Sequence, residues 1–248
     1  MNKWAYRSMA LLCGLLLPWA ASSSAAPLRV SVASNFAGTM RDLVSDYTLQ
    51  SGTPVQLIIG SSGKLYAQIG QGAPFDLFFS ADAERPAALE AAQLIVPGSR
   101  TSYAYGELVL WPASDSPAQQ LETFNYRRFA IANPRLAPYG RAASAVLDRL
   151  SVLSNTETTL VMGENIAQTY QFISSGNADA GLVARSQMTP EDHFWPIPSD
   201  WYPPIEQQAV ILRASRKIDE AKKFMTFIKS DAARAKITAA GYRQAGAN

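Results

Sequence analysis

A chain of 248 residues, 48% of them hydrophobic, can build one large domain or two modest ones. Its single cysteine, Cys13, and single histidine, His193, exclude a disulfide scaffold and a multi-histidine metal site. Lys and Arg number 22 against 20 Asp and Glu. Lys3 and Arg7 fall in a leader expected to be removed, and the resulting balance lacks the basic footprint that a nucleic-acid partner needs.

Residues 1–25 read as that leader. A positive start at Lys3 and Arg7 is followed by an apolar run from Met9 to Trp19 and a small-residue tail ending at Ala25. The apolar run is about ten residues, half of the roughly 20 that a spanning helix requires. Cleavage near Ala25 implies export to the periplasm. It also removes Cys13, and a thiol-free mature chain suits an oxidising compartment. Leu12 before Cys13 does not fit a lipoprotein signal, and no later stretch is long and apolar enough to insert in a membrane.

Strands and helices then alternate. Leu28 to Ala33 reads as a strand, Ser34-Asn35 as a helix start, and Met40, Leu43, Val44 and Tyr47 as one apolar helix face. Val55 to Ile59 is a second strand, followed by Gly60-Ser61-Ser62-Gly63 and a helix carrying Leu65 and Ile69. Asp76 to Phe79 is a third strand, and Ala83 to Ala92 a helix with Pro86 in its first turn. The alternation continues with strands at Leu108 to Trp111, Phe129 to Ala132, Thr159 to Met162, Ala180 to Ala184 and Gln208 to Leu212. Helices are expected at Gly140 to Leu150, Ile166 to Ser174 and Ile218 to Ser230, and Trp195 to Pro204 as a surface wrap. Such alternation specifies an α/β protein with mainly parallel sheets covered on both faces. The strands at Leu108 and Gln208 are the ones that could carry the chain out of one lobe and back. The expected division is residues 26–106 with 207–248 in one lobe, and 107–206 in the other.

Four segments at the strand ends share a chemistry. Ser34-Asn35, Gly60 to Gly63, Pro138-Tyr139-Gly140 and Glu164-Asn165-Ile166 are all small, polar or turn-forming, and all open helices. A helix start offers unpaired N–H donors and a partial positive charge, and ligands of open α/β sheets lie beyond the strands' carboxyl ends. Ser and Asn at these places are ordinary helix caps when taken one at a time; four together form a donor shell. Such a shell suits a fully deprotonated tetrahedral dianion such as molybdate, tungstate or sulfate. Hydrogen phosphate wants an acceptor carboxylate, and Glu164 is the only one in the four loops.

Nothing in the sequence assembles a catalytic site. Gly-x-Ser-x-Gly and His-Glu-x-x-His are absent, and Gly60 to Gly63 lacks the spacing of a P-loop. Asp76 and Asp82 are expected to cap and turn the chain, and His193 to be a surface residue. The readings left open are a receptor for sulfate, another oxyanion or a small organic anion, an exported enzyme on the same scaffold, and an accessory protein that binds only partners.

Six segments carry a family resemblance: VASNFAGTM at Val32 to Met40, GSSGKLYAQI at Gly60 to Ile69, GAPFDLFFSAD at Gly72 to Asp82, ANPRLAPYGRAA at Ala132 to Ala143, GENIAQTYQF at Gly163 to Phe172, and SGNADAGLVA at Ser175 to Ala184. In order and over nearly the whole mature chain, they resemble the periplasmic molybdate-binding proteins of ABC importers. The resemblance implies a two-lobed type II periplasmic-binding-protein fold with a two-strand hinge and no enzymatic activity. It also implies a monomer that delivers molybdate or tungstate to a membrane permease. No cofactor is implied, and molybdenum is held as its oxyanion without a direct cation ligand. The family's oxyanion ligands fall on Ser34, Asn35, Ser62, Tyr139 and the backbone N–H of Ile166. One branch of the family has a tyrosine ligand where this chain has Ala184.

Overall fold

The computed structural model describes residues 26–152 and 159–244; the expected leader and its cleavage site lie outside the described residues. The first strands and helices are β1 (Leu28–Ala33), α1 (Ala37–Ser51), β2 (Val55–Gly60), α2 (Ser62–Gly70), β3 (Leu77–Phe79), α3 (Glu84–Ala91) and β4 (Thr101–Gly106). Then come β5 (Leu108–Trp111), α4 (Pro117–Thr123), β6 (Arg128–Ala132), α5 (Pro138–Arg149), β7 (Thr159–Gly163), α6 (Ile166–Ser174), β8 (Ala180–Ala184) and β9 (Trp195–Pro196). The chain ends with β10 (Ile205–Ile211), α7 (Ile218–Ile228) and α8 (Asp231–Ala239).

Two five-stranded sheets result, ordered β2-β1-β3-β10-β4 and β7-β6-β8-β5-β9. In the first, β1 pairs parallel with β2 and β3, and β10 runs antiparallel between β3 and β4. The second has parallel β7, β6 and β8, with β5 antiparallel to both β8 and β9. Each sheet is therefore mainly parallel with one reversed strand in its fourth place. The chain passes from one sheet to the other at Gly106–Leu108 and returns between Pro196 and Ile205.

Alternation along the strands sorts the cores, because successive side chains leave opposite faces of a sheet. Leu77, Phe79, Ala209 and Ile211 pack with Leu28, Val30, Val32 and the apolar faces of α1 and α7. Their neighbours Phe78 and Val210 face the other way, onto Leu65, Ile69 and Leu89 of α2 and α3. In the second sheet Leu108, Leu110, Phe129, Ile131 and Leu182 meet α5, while Val109, Ala130 and Val183 meet Ile173 of α6. Burying such layers on both faces is what allows these strands to be apolar throughout.

Several local expectations are revised. The segment from Trp195 to Pro204 is not only a surface wrap: Trp195-Pro196 is a strand on β5, and Ile197 and Tyr202 are buried. The amphipathic stretch Ile218 to Ser230 ends at Ile228, and Ser230 caps a new helix by accepting from the Ala233 N–H. Ser34 and Asn35 are not caps. Ala33 holds that position, and Ser34–Phe36 form a 3₁₀ turn that leads into α1. Asp76 does tie the chain together, accepting from the Arg29 N–H and the Ser215 hydroxyl. His193 is exposed, with Nδ1 3.1 Å from the Ala113 carbonyl. Among the described residues no helix is long and apolar enough to cross a membrane.

Candidate functional site

The carboxyl ends of β1 and β2 in one sheet, and of β6 and β7 in the other, open onto one small cavity. Ser34, Asn35, Ser62, Tyr139 and Ile166, the five residues singled out from sequence, all line it. Their neighbours Ala33, Ser61, Ala81, Ala137, Pro138 and Asn165 complete the wall, which carries no charged side chain.

The caps of the surrounding helices determine which donors remain for a ligand. At α2, Ser61 Oγ accepts from the Lys64 N–H, the Gly63 N–H goes to the Leu136 carbonyl and the Leu65 N–H to the Ser61 carbonyl. The Ser62 N–H, first in the helix, is left without a partner among the described residues. At α6, Asn165 Oδ1 accepts from both Ala167 and Gln168, which leaves the N–H of Ile166. At α5, Pro138 has no N–H to offer, and the Gly140 and Arg141 N–H groups both reach the Ala137 carbonyl, so Tyr139 supplies the free one. The 3₁₀ turn at Ser34 likewise cannot satisfy its own first N–H groups. Four helix starts thus contribute donors and positive dipole ends to one cavity.

Hydroxyls add to them. Ser62 Oγ accepts from the Ala81 N–H at 3.0 Å, which spends a lone pair and leaves its proton for the cavity. Ser34 Oγ has no partner among the described residues. Tyr139 contributes differently from what its side chain suggests. Its ring is 1% exposed and its hydroxyl reaches away from the cavity to the Gln207 amide, so the backbone N–H is what it presents. Burial raises the Tyr139 pKa well above the usual phenol value, as it does for Tyr103 nearby, so both stay protonated. The side-chain amide of Asn35 is bonded to Gln207 at 2.9 Å and to Tyr242 at 3.2 Å.

Charged residues surround the cavity without entering it. Glu164, the one carboxylate in the loops, turns outward to Lys64 across the mouth at 3.0 Å. Asp82, 9% exposed in its side chain, sits beside Ala81 and is held by Arg85 from its own half and by Arg141 of α5, at 2.8 Å, from the other. Arg141 also reaches Glu84, Arg85 Nη2 donates to the Arg135 carbonyl, and Ser186 Oγ donates to the Asn35 carbonyl. The two halves therefore meet around the cavity in a closed arrangement. Asp82 does cap, accepting the Arg85 N–H, but its ion pairs were not foreseen. The Arg at Asp82+3 was a signal for one of them; the other joins residues 59 positions apart.

Lys64 and Glu164 remain about half exposed. An exposed pair contributes at most about 1 kcal/mol. Replacing Lys64 by alanine is accordingly expected to weaken ligand binding less than about fivefold, with the difference lost at high salt, as titrations at two ionic strengths will show.

Comparisons with known proteins agree with this geometry. The family model for bacterial extracellular solute-binding proteins matches residues 28–243. The molybdate-binding protein ModA of Azotobacter vinelandii is 39% identical over 243 residues, covering 94% of this chain and 95% of the relative. That of Rhodobacter capsulatus is 40% identical over 241 residues, covering 95% and 94%. The solved periplasmic molybdate-binding protein of Azotobacter vinelandii superposes with a TM-score of 0.84 at 38% identity, over 88% of this chain and 99% of that one. A sulfate-binding protein of Mycobacterium tuberculosis shares the fold at 13% identity and a TM-score of 0.72, over 89% of this chain and 87% of that one. The chain belongs to the bacterial extracellular solute-binding proteins, in the family of the periplasmic molybdate-binding proteins of ABC importers.

Proposed function

We propose that the protein captures molybdate or tungstate in the periplasm and delivers it to the permease of an ABC importer, making and breaking no covalent bond. One observation carries the reading: an uncharged cavity between two sheets is ringed by the starts of four helices whose first free N–H groups have no other partner among the described residues. Ser34, Asn35, Ser62, Tyr139 and Ile166 would hold the oxyanion, with Ser34 and Ser62 adding hydroxyl donors. A dianion without protons can accept from all of them, and donors fixed in place before binding avoid the cost of ordering them. The two crossings, at Gly106–Leu108 and before Ile205, serve as the hinge about which the halves open for entry and release.

Thermal melting of the protein cleaved at Ala25 tests this. Molybdate or tungstate at about 100 times its dissociation constant is expected to add roughly 2.7 kcal/mol of stability, while phosphate adds none. No shift with either metal oxyanion, beside a clear shift with an organic solute, would sink the reading. Sulfate in the same titration decides between molybdate and a broader oxyanion receptor.

A further inference from the structure

Behind the cavity, next to the crossings between the sheets, lies a second polar group: Asn35, Tyr103, Tyr139, Gln207 and Tyr242, none more than 7% exposed. Gln207, fully buried on β10, is its centre. One end of its amide lies 2.9 Å from the Asn35 amide and 2.9 Å from Tyr103 Oη, and the other end lies 3.3 Å from Tyr139 Oη. Tyr103 Oη is also 3.1 Å from the Ser80 carbonyl, and Tyr242 Oη is 2.8 Å from the Asn35 carbonyl.

Counting protons separates two arrangements of this cluster, since an amide can exchange its oxygen and nitrogen ends without moving and a phenol has one proton to give. With Gln207 Oε1 toward Asn35 Nδ2 and Tyr103, the single Tyr103 proton must serve both Gln207 and Ser80. The Tyr139 proton then has no acceptor among the described residues. With both amides reversed, every proton of Gln207 and of the three tyrosines has a place, while the Asn35–Tyr242 contact at 3.2 Å is no longer a hydrogen bond. Tyr103 donates to Ser80 and Tyr139 to Gln207 Oε1, while Gln207 Nε2 donates to Tyr103 and Asn35 Oδ1. Tyr242 donates to the Asn35 carbonyl in either case. Buried polar groups are satisfied as a rule, and in the second arrangement the only protons of the cluster without an acceptor are those of Asn35 Nδ2, on the cavity, rather than the buried Tyr139 proton.

The consequence reaches the ligand. Asn35 lines the cavity, and the end of its amide turned away from Gln207 has no partner among the described residues. In the second arrangement that end is the N–H₂ group. We propose that Gln207 is a positioning and specificity residue: held by Tyr103 and Tyr139, it fixes the Asn35 amide with its N–H toward the bound oxyanion. The first loop then presents no acceptor to a ligand that carries a proton. This role rests on the cavity being an oxyanion site.

Calorimetric titration of the cleaved protein with molybdate, for wild type, Gln207→Met, Asn35→Ala and the double variant, tests it. Gln207→Met removes the constraint at similar volume, so molybdate affinity is expected to fall about tenfold. In the Asn35→Ala background the same change is expected to cost less than about twofold, because Gln207 acts through Asn35. Gln207→Met should also narrow the preference for molybdate over arsenate, which keeps a proton near neutral pH. Tyr103→Phe, which withdraws the phenol that orients Gln207, should give about a threefold loss that likewise disappears in the Asn35→Ala background. It keeps the test decisive if Gln207→Met does not fold. Equal losses in both backgrounds, or no loss in either, overturn the proposal. Failure of the wild type to bind any oxyanion overturns the oxyanion reading instead.

Discussion

Replacing Asp82 by alanine is expected to lower the stability of the closed, molybdate-bound protein by roughly 3 kcal/mol, a fall of about 6–12 °C in melting temperature. Asp82 accepts from the Ser80 hydroxyl at 2.9 Å and from the Arg85 N–H at 3.2 Å, and it pairs with the Arg85 guanidinium, which is 12% exposed. These contacts lie within one half of the molecule. Removing the carboxylate strands the Arg85 charge in a place that water hardly reaches, and an uncompensated buried charge is what makes broken pairs costly. Arg141, 39% exposed, supplies the contrast. Its contact with Asp82 crosses between the halves, so Arg141→Ala should leave ligand-free stability within about 1 kcal/mol and instead speed ligand release. Scanning calorimetry of both variants, with molybdate for Asp82→Ala and without it for Arg141→Ala, and stopped-flow release from Arg141→Ala check the pair. A loss below about 1 kcal/mol for Asp82→Ala would contradict the argument.

Gly140→Ala is expected to lower molybdate affinity by about ten- to a hundredfold and stability by roughly 1–3 kcal/mol. A methyl group on Gly140 would sit well inside contact distance of the Ala132 carbonyl oxygen and 2.7 Å from its carbon. Both neighbours are backbone at the end of β6, which cannot swing aside as a side chain can. The start of α5 must move away from the strand, carrying the Tyr139 N–H with it. Loss of one hydrogen bond to a charged ligand costs roughly 1.5–3 kcal/mol, which sets the lower end of the effect. Titration beside thermal melting separates the two losses; an unchanged affinity would mean that α5 does not supply a donor.

The sequence carried the strand–helix alternation wherever strands are aliphatic. Leu28–Ala33, Leu108–Trp111 and Ala180–Ala184 have the expected bounds, as does the helix Ile166–Ser174. It was silent at β4, whose residues TSYAYG hold no aliphatic side chain larger than alanine and pair with β10, about a hundred residues later, and at Tyr105 with Arg243. The helix Asp231–Ala239 was not anticipated, because only Ala233 and Ile237 are buried along it. The four loops were legible because each opens a helix that follows a strand, a local property, and the family resemblance picked out the five cavity residues within them. Gln207, Tyr103 and Tyr242 were not, for they meet Asn35 across as many as 207 positions and no local pattern marks them. Tyr139 was identified through its loop and the family resemblance, and it is the proline before it and the glycine after it that leave its N–H for the cavity.

The reversed fourth strand of each sheet has a bearing on how the polypeptide matures. β10 lies between β3 and β4, and β4 pairs with no other strand of its sheet. A nascent chain that has emerged as far as β9 therefore holds β3 with an open edge and β4 with nothing to bond to. That sheet can close only after Ile211 is available, near the end of synthesis. Until then the N-terminal half cannot lock, so the first sheet is completed by the last third of the chain and its folding waits on residues made long after β1 to β4.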